Sequence, residues 1–206
     1  MSKTDVFIRV FSSSELRLGF AIATVARWRM QQDCRVHVIQ WADGLKYNWW
    51  IGHRKGEWIG EWINEPELPF ATSSLRQAEE LAKSDPYIIC NDDNLPYGQD
   101  FVSNGLDIMN RYPDYGVISG VVVNGEGSEF EMNGPEVKEI HAVGGLVFLR
   151  KGLVTNFPQL EDCFWDGERH KQVVEKGFKS GYSRSLPYLH MGAHFSVANP
   201  AFFVGA

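Results

Sequence analysis

Near its start the chain has a short run of apolar, β-branched and aromatic positions over residues 6–11 (VFIRVF), the composition of a largely buried strand. Ser12, Ser13 and Ser14 then precede Glu15, where a serine hydroxyl can satisfy the first free N–H groups of a helix. Leu16, Phe20, Ile22, Ala23, Val25, Ala26 and Met30 recur at helical spacing across 16–32. Positions 36–41 (VHVIQW) alternate as a second strand and stop at Ala42-Asp43-Gly44, a turn. Strand, helix and strand in that order make a βαβ unit, which predicts a parallel sheet.

Residues 72–83 (TSSLRQAEELAK) predict a further helix, capped by Ser or Thr, with Leu75, Ala78, Leu81 and Ala82 on one face. It leads into an apolar strand at 87–90 that ends against Asp92-Asp93. A helix follows over about 99–111, ended by Pro113, then a strand over 117–123. Residues 126–139 are acidic, glycine-containing and aperiodic, which predicts a loop. Residues 143–149, opened by Gly144-Gly145, return to the core, and 168–176 form a short helix ended by Gly177. A final segment at 188–194 closes with LHMGAH.

The segment 46–66 departs from this alternation. Trp49, Trp50, Trp58 and Trp62 stand among glycines at 52, 56 and 60, which predicts hairpin-like turns rather than helix. The tryptophans read as a hydrophobic cluster closing one edge of the sheet, or as a surface on which sugar rings or bases stack. With no repeat, low-complexity tract or linker, the expectation is one α/β domain over 1–206, carrying a Trp-rich insert at about 46–66.

Composition refines this picture. A chain of 206 residues can bury a substantial core, and 44% hydrophobic with 22% charged residues is the balance of a soluble globular protein. A net charge of −6 provides no general basic footprint for nucleic acid or an anionic membrane, although it leaves room for a local basic patch. Cys34, Cys90 and Cys163 are odd in number and lack CxxC pairing, so they read as reduced thiols. The first ten residues hold no signal-peptide core, and no apolar run approaches a membrane span of roughly 20 residues. A soluble, cytoplasmic protein is expected.

Ligands of an open parallel sheet bind beyond the C-terminal ends of its strands. Asp43, then Asp92-Asp93, then Asp166 with Glu168 fall at such ends. A carboxylate rim without a Cys–His metal pattern suits a hard cation, Mg²⁺ or Mn²⁺, which prefers carboxylate oxygens and bridges them to nucleotide phosphates. Asp92-Asp93 also reads as a solvated turn with an Asx hydrogen bond. Asp166 equally suits a helix N-cap, and His190 a core histidine. His190 and His194 lack the HExxH glutamate, and Gly192 between them weakens a helix, so a zinc hydrolase is set aside.

The order and spacing of these segments resemble the nucleotide-sugar-dependent glycosyltransferases of family 2, which have the GT-A fold. That family has a strand ending in a DxD-type motif followed shortly by Pro; here the stretch is Asn91-Asp92-Asp93-Asn94-Leu95-Pro96. Its Arg-Asn pair about eleven residues before the aromatic of the next strand is matched by Arg76-Gln77 before Tyr87. Its glycine-rich strand is matched by VGGLVFLRKG at 143–152. Its ED-x-D helix start is matched at the second and fourth positions by Asp166 and Glu168, with Trp165 in the first, ahead of Gly177-Phe178. A late H-x-G is matched by His190-Met191-Gly192, so the resemblance spans roughly residues 5–194. Asn91 replaces the usual first acid, Gln77 replaces the usual Asn, and the Trp-rich insert has no counterpart in the family.

The resemblance implies a single GT-A-like (Rossmann-like) domain with a mostly parallel central sheet flanked by helices. It implies an inverting, divalent-metal-dependent glycosyltransferase that uses a nucleoside-diphosphate sugar as donor and a carbohydrate or other hydroxyl acceptor. Asp93, with Asn91 or Asp92 assisting and His190 completing the shell, would hold Mn²⁺ or Mg²⁺. Arg76 would neutralise the departing diphosphate, and Asp43 would bind the base or ribose. Asp166 would be the general base, and Glu168 would orient a hydroxyl. The alternative is a non-catalytic carbohydrate-binding or assembly module on the same fold, favoured by Asn91 and the tryptophans. A nucleotidyltransferase would need a glycine-rich phosphate loop with a lysine near the first strand, and FSSSELRLGF has none.

Overall fold

In a computed structural model the structure describes residues 3–10, 15–41, 62–65, 70–123, 134–141, 144–158 and 165–191. Strand β1 (Thr4–Val10) pairs in parallel with β2 (Cys34–Trp41) on one side and β4 (Tyr87–Asn91) on the other. Its near-continuous apolar run is what a strand covered on both faces requires. Val6, Ile8 and Val10 pack with Leu18, Ala21, Val25 and Trp28 of helix α1 (Glu15–Arg29), and with helix α3 (Phe101–Arg111). Phe7 points the other way, to Leu75 and Ala78 of α2 (Phe70–Leu81) and Val173 of α4 (Trp165–Glu175). The result is a sheet between two helical layers.

Among the described residues the sheet has nine strands. β3 (Trp62–Glu65) extends it in parallel beyond β2. On the other side β8 (Val147–Leu149) runs antiparallel between β4 and β6 (Tyr115–Val122), and β6 pairs in parallel with β9 (Lys179–His190). β5 (Asn94–Pro96) and β7 (Val137–Glu139) both pair antiparallel with β9. The mostly parallel sheet with flanking helices is therefore the observed architecture.

Four strands depart from the sequence expectations. β5 falls in the acidic stretch read as a turn, and its pairing with β9 makes it a strand. β3 lies in the segment read as hairpin-like turns; four residues are too few to show a period, and the open edge of β2 makes them a strand. β7 lies in the segment read as a loop; only Val137 of its three residues is buried, and β9 supplies its hydrogen bonds. β9 starts nine residues before the predicted apolar segment. Its stretch KSGYSRSLP has no strand pattern because part of it bulges: between Ser119↔Tyr182 and Val121↔Pro187, β6 advances two residues and β9 five. Pro187, which has no N–H to donate, follows that irregularity.

Gly177 ends α4 at φ +81°, as its C-cap role predicts. Cys34 and Cys90 are buried free thiols, and burial pushes Cys34 up to about 11. No described helix is long and apolar enough to cross a membrane. The serine cap at 12–14, Asp43, Cys163, His194 and most of the Trp-rich segment lie outside the described residues.

Candidate active site at the strand ends

β4 carries its apolar residues to the rim of the sheet and stops at Asn91, and Asp92-Asp93 turn the chain into β5. The Asn91 N–H donates to Asn94 Oδ1 at 3.0 Å, which fixes the turn. The Asp92 carbonyl accepts from Thr24 Oγ1 of α1 at 2.7 Å, and the Asp93 carbonyl accepts from the Met191 N–H at 2.9 Å. Both aspartates are 2% exposed, so the turn is not a solvated one.

Buried carboxylates need compensation. Arg17, from the first turns of α1, supplies it: its Nη1 lies 3.1 Å from Asp92 Oδ1 and 3.0 Å from Asp93 Oδ2. The β5–β9 register sets His190 opposite Asn94, and His190 Nε2 reaches Asp93 Oδ2 at 3.1 Å. Burial pushes the Asp93 carboxyl up, but the bond and charge of His190, with Arg17, outweigh it and hold the group below its ordinary value.

Two carboxylates that meet at a guanidinium, with an imidazole against one of them, suit a hard divalent ion in donor chemistry. Among the described residues no three His, Cys, Asp or Glu form a complete shell, and the point between the carboxylates carries the Arg17 guanidinium. An ion held by Asp93 and His190 would displace Arg17 Nη1 and draw further ligands from phosphate and water, as Mg²⁺ commonly does. Asn91 shares its strand face with Ile89, towards α2 and α4, and its Oδ1 accepts from Arg9 Nη2 at 2.5 Å.

Asp166 reaches the same rim from the opposite helical layer. It opens α4, and its Oδ1 accepts from Arg169 Nη2 at 2.8 Å. A Cβ at Gly144 would lie 2.4 Å from Asp166 Oδ2. Gly145, at φ +73°, has room for no side chain either: a Cβ there would stand 2.6 Å from the Tyr188 hydroxyl and 3.6 Å from Asn94 Oδ1. The Gly144-Gly145 pair therefore separates Asp166 from the β5–β9 pair that carries His190. A side chain at Gly144 would displace the Asp166 carboxylate, and one at Gly145 would displace the Tyr188 hydroxyl.

The remaining expected residues lie differently. Glu168 is two positions from Asp166, where helix side chains do not share a face. Its Oε1 accepts from Gln172, whose own Oε1 accepts the Thr155 and Asn156 N–H groups. Arg76 sits on α2 with its Nε 3.9 Å from Glu80 Oε1. Arg17, Arg9 and Arg169 were absent from the sequence-based set although each left a signal. Arg9 interrupts an apolar strand, Arg17 follows the first βα turn, and Arg169 stands at i+3 from Asp166.

No family model and no curated protein sequence matches the chain. Its fold matches solved structures at low identity. The mannosyltransferase PcManGT from Pyrobaculum calidifontis, in complex with GDP-Man and Mn²⁺, superposes with a TM-score of 0.67 and 13% identity, over 95% of this chain and 64% of that one. Residues 1–349 of S. aureus TarS, in complex with UDP-GlcNAc, give 0.65 and 10%, over 93% and 61%. GalNAc-T7 with UDP, GalNAc and Mn²⁺ gives 0.62 and 8%, over 92% and 44%. The chain thus spans less than two thirds of each of these proteins, and what it shares with them is the GT-A fold.

Proposed function

We propose that the chain is an inverting glycosyltransferase that moves a sugar from a nucleoside-diphosphate sugar to a hydroxyl acceptor with a divalent cation. The observation that carries this reading is the Asp93–His190–Arg17 cluster at the end of β4, with Asp166 across Gly144-Gly145. Support for the donor class comes from the fold neighbours, whose complexes hold GDP-Man, UDP-GlcNAc and UDP.

Asp166 takes the acceptor proton. Its carboxylate is 43% exposed on the side chain, and Arg169 fixes one oxygen, which orients the other. Glu168, two residues on and bonded to Gln172, takes the role of orienting an acceptor or sugar hydroxyl. Asp93 and His190 would hold Mn²⁺ or Mg²⁺, with Asp92 assisting; Asn91, whose amide faces Arg9 on the other side of the strand, assists only by fixing the turn through its N–H. When bound, that ion neutralises charge developing on the diphosphate. Arg17, already beside Asp93, adds positive charge for the same leaving group in place of Arg76, which stands on α2 in the opposite helical layer, and Asp43 binds the base or ribose. A soluble cytoplasmic enzyme is the setting this reading assumes.

The test replaces Asp93 and Asp166 separately with Asn and follows hydrolysis of UDP- and GDP-sugars with Mn²⁺. Each variant should lose most turnover, and unchanged rates in both would remove the assigned roles. A second reading, a carbohydrate-binding module without catalysis, draws on the fact that Arg17 already compensates Asp92 and Asp93. It predicts sugar binding indifferent to EDTA and UDP. The enzyme should instead gain thermal stability from nucleotide plus Mn²⁺.

A further inference from the structure

Arg9 is the one charged residue in VFIRVF. Register sets it opposite Asn91, and strand alternation turns both towards α2 and α4, the side of Phe7 and Ile89. Its Nη2 donates to Asn91 Oδ1, while its buried Nε has no hydrogen-bond partner among the described residues. Arg169, 5% exposed, enters the same layer from α4 and donates to Asp166. Burial weakens the hold of Arg169 on its proton; Asp166 opposes this, and the charge of Arg9 adds to it, so the two guanidinium groups sense each other. An aspartate at 91 would neutralise Arg9. The neutral amide accepts from Arg9 through Oδ1 without cancelling its charge, and it offers Nδ2 as a donor where an acid would present a repelling oxygen. Arg9 is half-buried and has no acidic partner among the described residues, so its charge is poorly compensated, and a bound anion would relieve that cost.

We propose that Arg9, Asn91 and Arg169 form an anion subsite beside Asp166 that takes the carboxylate of an acidic pyranose, a uronate. The donor diphosphate belongs with Asp93 and His190, where the partner cation is Arg17 of α1, on the other side of the sheet. An anion on the Asp166 side therefore arrives on the transferred sugar or on the acceptor. The subsite rests on the reading of Asp166 as the place of transfer.

Thermal shift and calorimetry on the whole chain test this, with Arg9→Met and Asn91→Asp as variants; the second changes only an amide to an acid and guards against misfolding of the first. Glucuronate should raise the melting temperature of the unsubstituted chain where glucose, or sodium chloride at equal ionic strength, does not. Both variants should lose that response. If the donor carries the carboxylate, UDP-glucuronate or GDP-mannuronate binds about tenfold more tightly than UDP-glucose or GDP-mannose, the scale of one charge-assisted contact. If the acceptor carries it, the paired nucleotides bind alike and glucuronate adds its shift on top of saturating nucleotide. A chain that binds nucleotide sugars but responds to glucuronate no more than to chloride overturns the subsite. So does a glucuronate response that survives both variants. A glucuronate response lost in Arg9→Met, with no nucleotide sugar bound under any condition, keeps the subsite and overturns the transferase reading.

Discussion

Replacing Arg17 with Met tests the central electrostatic argument. The substitution keeps the apolar stem and removes the group that touches Asp92 Oδ1 and Asp93 Oδ2. Asp93 retains His190, whereas Asp92 loses the side-chain contact described for it. Breaking one partner from a buried pair costs about 3–5 kcal/mol. The Arg17 side chain is 23% exposed, and His190 still serves Asp93, so the lower end of about 3 kcal/mol is expected. In a chain of this size that lowers the melting temperature by roughly 6–12 °C. A divalent ion at the same carboxylates should restore much of the loss, since a ligand at 100 times its dissociation constant adds about 2.7 kcal/mol. Scanning calorimetry of both proteins with and without Mn²⁺ reads the two effects together. A variant that melts within about 1 °C of the parent, or gains no more from Mn²⁺ than the parent does, refutes the reasoning.

Asp5 allows a pH test away from the site. Its buried carboxylate accepts from Arg35, His37 and the Lys83 and Ser84 N–H groups, and although burial pushes its pKa up, these bonds hold it below the ordinary value. Its stabilisation is therefore full above the unfolded pKa of about 3.9 and is lost as pH falls through the lower folded value. Asp5→Asn should cost about 3 kcal/mol at pH 7 in urea titrations, with the deficit shrinking in acid. Gly144→Ala places a Cβ 2.4 Å from Asp166 Oδ2, so sugar transfer should fall about tenfold or more while circular dichroism stays native. Gly105→Ala drives a Cβ to 2.0 Å from Phe148 Cζ between α3 and β8; overpacking of this kind costs about 1–3 kcal/mol, seen as a lower urea midpoint at unchanged slope.

The elements that the hydrophobic pattern revealed are those whose own length carries a period. β1, α1, β2, α2, β4, α3 and β6 each bury a continuous stripe or run, and their order alone predicted the parallel sheet. β3, β5, β7 and most of β9 escaped because pairing, not periodicity, makes them strands. Asp92-Asp93 at the end of an apolar strand was legible as a turn at the sheet's rim for the same reason: it is a local feature, a run that stops at acids.

What surrounds that turn was decided only in three dimensions. Arg17 stands 76 residues from Asp93, and His190 stands 97 away, yet both reach the same oxygen. A charge in sequence has no partner until the chain folds, so the sequence marked the acids without their counterions. It likewise marked Asn91 as a replacement without Arg9 opposite it, and Gly144-Gly145 without Asp166 against it. The sequence by itself determined the layers, because burial is set element by element by side chains that either do or do not face water. The tertiary structure decided which charges are paired and which oxygens meet, because coulombic and hydrogen-bond energies depend on distances across strands that only packing brings together.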